Sequence, residues 1–308
     1  MIHFDLSAKR DVIRTHFDSL EKDLKNKINS SKLKSTQKKF LITNLKSIIT
    51  KQPIDLMRLN DQFQNLVKNK RPKVNSQLKM IFDYDNFCSK KSIKYDAYDL
   101  AKKLDVRVCL YCNRMYTLTI KTSNKKEQHI VRPEFDHFFD KAAYPMLALS
   151  IYNLIPSCTI CNSILKGRKK FELNTHIHPY MDNCLPNYKY TFRPHDVISI
   201  LGRSSNLEIE IVPDETPIST KITTTAEVFN LEAIYSGHTE ELTDLFDIKY
   251  RFSNTYLSQI FTTYNTLGIS YEEAYRIVFG VHYNESDFGR RPFSKLKKDI
   301  LKELEIVI

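Results

Sequence analysis

Four of the six cysteines in this chain fall in two Cys-x-x-Cys pairs, Cys109/Cys112 and Cys158/Cys161. Each short knuckle can present two sulfurs about 2.3 Å from one zinc ion, so two knuckles can close a tetrahedral tetrathiolate. With all four positions filled by protein no place is left for water, so such an ion is structural rather than catalytic. Cys88 and Cys184 stand alone and read as packing residues. The 45 residues between Cys112 and Cys158 are too many for a compact ribbon, so something functional is inserted between the knuckles.

The insertion carries a second chemistry. Asp136-His137 is followed by Asn153, and Asn162 comes directly after Cys161 with Lys166 one helical turn on. A carboxylate oxygen and an amide oxygen are hard ligands suited to Mg²⁺ or Mn²⁺, which keeps waters for a substrate phosphate to replace. A neighbouring imidazole, with an ordinary pKa of about 6.5, can take a proton from water near neutral pH. Together these are the minimum for metal-assisted phosphodiester hydrolysis. The tail LKGRKKF offers Lys166, Arg168, Lys169 and Lys170 to a phosphate backbone, and His176 and His178, two apart in NTHIHPY, are further candidates to reach a cation or a phosphate.

The order Asp-His, Asn-Leu, then Cys-x-x-Cys-Asn with a lysine four residues on resembles the HNH (ββα-metal) endonucleases, in the subclass pinned by zinc through two Cys-x-x-Cys knuckles. The likeness spans about Val106 to Lys170. It implies that His137 is the general base, that Asp136 and Asn162 hold the catalytic cation, and that the amide of Asn153 braces the loop and orients His137. Asn162 stands where that family more often has a final His, so the motif is H-N-N. A narrower likeness is to HNH proteins of bacterial anti-phage systems, such as the Septu nuclease subunit, which works beside an ATPase. Two other readings stay open: the same chemistry on RNA, and a zinc-supported nucleic-acid-binding module with no catalysis.

Helices must deliver the chain to these residues. Ile13, Phe17, Leu20 and Leu24 recur at i, i+4, i+7 and i+11, and breaks are expected near INSSKLKSTQKK and VKNKRPKVNSQ. The helix YDAYDLAKKL leads into the first knuckle. MYTLTIKTSNKKEQHIVRPEFDHF alternates as a β-hairpin, with Pro133 placing its second strand at an edge or a kink. Tyr144 to Pro156 is expected to be an apolar loop buried through Leu147, Leu149, Tyr152, Leu154 and Ile155, with a helix beginning at Asn162. Beyond Lys170, LEIEIV suggests a strand, and ELTDLFDIKY, YEEAYRIVFG and SKLKKDILKEL suggest helices. The fold class expected is α+β, a mostly helical chain around a small zinc-pinned nuclease core. A basic helical region covers 1–100, the core 101–185, and a mixed then helical acidic region 186–308.

Charge follows this division. Lys+Arg against Asp+Glu is 21 to 11 over residues 1–100, 13 to 6 over 101–175 and 13 to 19 over 176–308, that is +10, +7 and −6. A basic body suits a polyanion such as DNA, and the acidic last third is expected to dock a protein partner, a regulatory ATPase. No signal-peptide core and no apolar run of bilayer length is present, and the expected location is the cytoplasm.

Overall fold

The computed structural model describes residues 1–67, 71–89, 95–122, 129–201, 203–204 and 206–306. Six helices come first: α1 (Arg10–Ser30), α2 (Ser35–Thr50), α3 (Pro53–Val67), α4 (Arg71–Ile81), α5 (Tyr84–Cys88) and α6 (Ala97–Leu104). Helix α1 buries Phe17, Leu20, Leu24 and Ile28, a stripe at helical spacing. The first expected break falls at residues 31–34. Of the second, residues 68–70 lie outside the described residues, and RPKVNSQ is helical, the start of α4. Asp96 caps α6 by accepting from the amides of Tyr98 and Asp99, and Leu100 and Leu104 are buried on its inner face.

The β structure is small and antiparallel. Strands β1 (Ile120–Lys121) and β2 (His129–Val131) form the expected hairpin in reduced form, and its polar turn lies outside the described residues. Contrary to expectation, the second strand does not continue to Phe138. Proline 133 lacks an N–H for a ladder, and β3 (Glu134–His137) leaves β2 to pair with β4 (Leu154–Ser157). The supposed loop therefore ends in a strand, with Asp136 opposite Ile155 and His137 opposite Leu154. A π-helical turn, Ile160–Lys166, follows at once. Strands β3 and β4 and this turn carry Asp136 and His137, Leu154 to Ser157, and Asn162 and Lys166 respectively.

Strands β5 (Tyr188–Pro194) and β6 (Leu207–Pro213) make a second antiparallel pair. Around them lie α7 (Val197–Ile200), α8 (Ser219–Val228), α9 (Leu231–Ser236), α10 (Glu240–Arg251), α11 (Asn254–Thr266), α12 (Tyr271–Phe279) and α13 (Ser294–Glu303). Helix α8 carries no strong apolar period and was not expected, whereas α9 to α13 lie in the region expected to be helical. One hydrophobic cluster runs through all three stretches, joining Leu41, Phe63 and Leu100 with Cys112, Phe138 and Leu154 and with Tyr190, Leu242 and Ile300. The charge boundaries therefore mark changes of surface composition within a shared core. Among the described residues no helix is long and apolar enough to cross a membrane.

Candidate active site

The two knuckles meet. The sulfurs of Cys109, Cys112, Cys158 and Cys161 are buried and lie within 4.8 Å of one another, with Cys112 and Cys158 4.0 Å apart. Bonds of about 2.3 Å to a central zinc ion imply edges of about 3.8 Å, so the group fits a structural metal such as zinc. Burial pushes the Cys109 thiol up, while hydrogen bonds from the neighbouring thiols, Cys109 first, pull Cys112 down. Local backbone explains each knuckle. Asn113, at φ 48°, turns the chain back after Cys112 and donates its amide to Cys109 O at 2.9 Å. In the second, the amides of Cys161 and Asn162 point to Cys158 Sγ and O. The C-terminal region holds the first knuckle from outside: Tyr235 donates to Cys112 O, and Asn113 Nδ2 donates to Phe288 O at 2.9 Å.

Beside the knuckles lies an open cavity of ≈ 370 Å³ walled by residues that include Glu134, Asp136, His137, Asn162, Lys166 and Lys169. Asp136 is buried and held on both oxygens. Tyr111, lying between the cysteines of the first knuckle, donates its hydroxyl to Oδ2 at 2.6 Å. Lys166 Nζ reaches Oδ1 at 2.7 Å and His137 O at 2.6 Å. Lys166 is accordingly not the surface phosphate contact expected of it. At 3% exposed it is the buried partner of Asp136, its ammonium lying over the Phe171 ring. Gly167 makes this possible, because its φ of 50° and ψ of −117° end the helix in a conformation open to glycine.

The imidazole of His137 packs edge-on against Tyr84 at 4.4 Å, and its Nε2 lies 2.9 Å from Ala148 O. A carbonyl only accepts, so Nε2 carries the proton and Nδ1 holds the free lone pair. Burial lowers the pKa of this group to about 4, which keeps it neutral near pH 7. Asn153, fully buried, accepts from Phe139 N at 2.7 Å and donates to Phe139 O and Leu147 O. It therefore fixes the carbonyl one residue before the one that orients His137. Asn162 gives its Nδ2 to Glu134 Oε2 at 2.7 Å, and Glu134 also accepts from Thr159 and Ser163, so one carboxylate clamps the start of the π-helix. That leaves Oδ1 as the acceptor of Asn162.

Other expected residues lie elsewhere. Arg168, Lys169 and Lys170 are exposed, and of the three Lys169 lines the cavity. Neither His176 nor His178 lines it. His176 stacks on Phe171 at 4.0 Å, and His178 is a buried core residue whose Nε2 lies 3.0 Å from Tyr152 O. His178 is matched by His16 on α1, whose Nε2 lies 2.9 Å from Leu149 O. Three neutral imidazoles thus hold three carbonyls of the loop joining β3 to β4. Cys184 is buried packing as expected, whereas Cys88 is part of the cavity wall. Glu134, Tyr111, Tyr84 and Arg132 were not singled out in the sequence. Glu134 was legible as the same-face neighbour of Asp136 at i−2.

The chain matches no family model, no curated protein and no solved structure.

Proposed function

We propose that this chain is a metal-dependent endonuclease of the HNH (ββα-metal) type that hydrolyses phosphodiester bonds in DNA. The observation that carries the reading is the juxtaposition, in one open cavity, of a neutral His137 with a free Nδ1 and the oxygen donors Asp136 and Asn162. A carboxylate and an amide oxygen suit Mg²⁺ or Mn²⁺, and Asp136 and Asn162 would hold such an ion. When bound, it would neutralise charge on the phosphate and on the leaving oxygen. His137 Nδ1 takes the proton from the attacking water. Ala148 O keeps the ring in the tautomer that permits this, and Asn153 keeps the loop in place. The four cysteines hold a structural zinc ion that fixes Tyr111 and Asn162 on either side of the site. Action in bacterial anti-phage defence beside an ATPase belongs to the same proposal.

The test is to incubate zinc-loaded protein with plasmid, linear DNA and RNA in Mg²⁺, Mn²⁺ or EDTA. His137→Ala leaves Ala148 O without its donor, whereas His137→Gln keeps an N–H there and removes only the base. The Gln variant is expected to lose about 10² to 10⁴-fold in cleavage rate. Unchanged cutting would refute the base assignment, and cutting of RNA alone would reassign the substrate. Absence of any cleavage would support the binding-module reading. One observation favours that alternative: the Lys166 ammonium already neutralises Asp136. Charge reversals testing a protein partner belong at exposed Glu240 and Glu272, because Glu241 pairs with Lys297 at 2.6 Å and Glu273 caps α12.

A further inference from the structure

Four basic side chains line the cavity, Arg132, Lys141, Lys166 and Lys169. Two already have counter-charges: Lys166 pairs with Asp136 and Lys141 with Asp85 at 2.8 Å. Lys169 is exposed and flexible in kind. Arg132 differs from all three. Its guanidinium carbon lies 5.4 Å from the Tyr98 ring centre and 5.7 Å from that of Phe135, so two aromatic residues fix its position. Among the described residues its one hydrogen bond runs from NH1 to Pro133 O at 2.6 Å, and no carboxylate pairs with it. Its Nε is buried without a partner.

A buried N–H left unpaired costs about 1 to 3 kcal/mol, more on a charged group, unless something arrives to accept from it. A planar guanidinium held by aromatic residues, with donors to spare, is pre-organised for bidentate recognition of a phosphate. Its place in the chain fits this role: Arg132 lies just before β3, the strand that carries Asp136 and His137, and lines the same cavity as both.

We propose that Arg132 is the phosphate-binding residue of this cavity, its guanidinium taking two non-bridging oxygens of the scissile phosphodiester. The assignment rests on the reading of the cavity as a phosphodiesterase site. It makes Arg132 a catalytic residue, since charge builds on those oxygens as water attacks. Lysine at this position would keep the charge and lose the fork, so Arg132→Lys is the informative variant.

Two measurements on the zinc-loaded full chain test it, each for wild type, Arg132→Lys and Arg132→Ala. The first is titration with inorganic phosphate in metal-free buffer, followed by phosphorus NMR line broadening. The second is plasmid cleavage in Mg²⁺. Zinc content and melting temperature of Arg132→Lys are expected to match wild type, which separates the effect from misfolding. Phosphate affinity should fall about tenfold, and the cleavage rate by about 10² to 10³-fold, the loss typical of one transition-state donor. Wild-type cleavage together with an unchanged rate in Arg132→Lys overturns the assignment and leaves the nuclease reading standing. A wild type that binds phosphate through Arg132 but cuts nothing supports the subsite and overturns the nuclease reading. Unchanged phosphate affinity in both variants, with no cleavage by wild type, overturns both.

Discussion

Tyr111 sits between Cys109 and Cys112 and donates its hydroxyl to Asp136 at 2.6 Å, so a residue of the first cysteine knuckle is hydrogen-bonded to the candidate cation site. The ring is stacked on Phe229 with centroids 4.4 Å apart. Burial and the neighbouring carboxylate push the phenol well above its ordinary pKa, so it remains a proton donor. Tyr111→Phe keeps the ring and deletes the bond. It should keep its zinc, lose about 1 to 3 kcal/mol in chemical denaturation, and bind Mg²⁺ with altered affinity. Denaturation and cation titration identical to wild type would show that the link carries no energy.

Removal of a knuckle ligand should have a different signature. Cys109→Ser or Cys161→Ser is expected to lose zinc and solubility together, because structural zinc supplies folding free energy directly. Metal analysis of wild type should give about one zinc per chain. A folded, carefully purified protein with none would eliminate the tetrathiolate.

The Lys166–Asp136 pair, with side chains 3% and 4% exposed, is screened from salt and costly to break from one side. Lys166→Met should destabilise the zinc-loaded protein by about 3 to 5 kcal/mol in buffer free of Mg²⁺ and Mn²⁺, since Asp136 is left buried and uncompensated. Mg²⁺ or Mn²⁺ should restore part of that loss by taking the ammonium's place at Oδ1. Melting curves of the variant that do not respond to either ion would argue against a cation at Asp136.

Acid should loosen the loop joining β3 to β4. Burial holds His16 at a pKa of about 4 and His178 at about 3, both below the unfolded value of about 6.5. Between those values the unfolded chain binds more protons, so stability is lost as pH falls below about 6.5 and is insensitive to these groups above it. At pH 5 each should cost about 2 kcal/mol relative to pH 7. Urea denaturation at the two pH values measures this. His178→Gln, which removes the titrating group, should flatten part of the slope and so separate it from acid loss of zinc. Parallel slopes for wild type and variant would count against a buried neutral His178.

The sequence by itself determined the elements of the site that depend on local spacing. Two Cys-x-x-Cys knuckles need no long-range information to present paired sulfurs, and the four sulfurs do converge. Apolar period placed α1, α6, α10, α12 and α13, because an amphipathic stripe is written in consecutive residues. The adjacency of Cys161 and Asn162 likewise tied one candidate donor to a knuckle. Tertiary structure decided everything that depends on which strand meets which. Strand β4, LIPS, has no alternation to show because all four residues are buried. Its pairing with β3 is what sets Glu134 against the π-helix and His137 against its carbonyl. The fate of charge was equally illegible. Lys166 and Lys169 are three residues apart in one basic tail, yet one is buried against a carboxylate and the other faces solvent. Residue type gives a lysine its charge, but its surroundings in the fold decide whether that charge meets an aspartate or is left for a ligand.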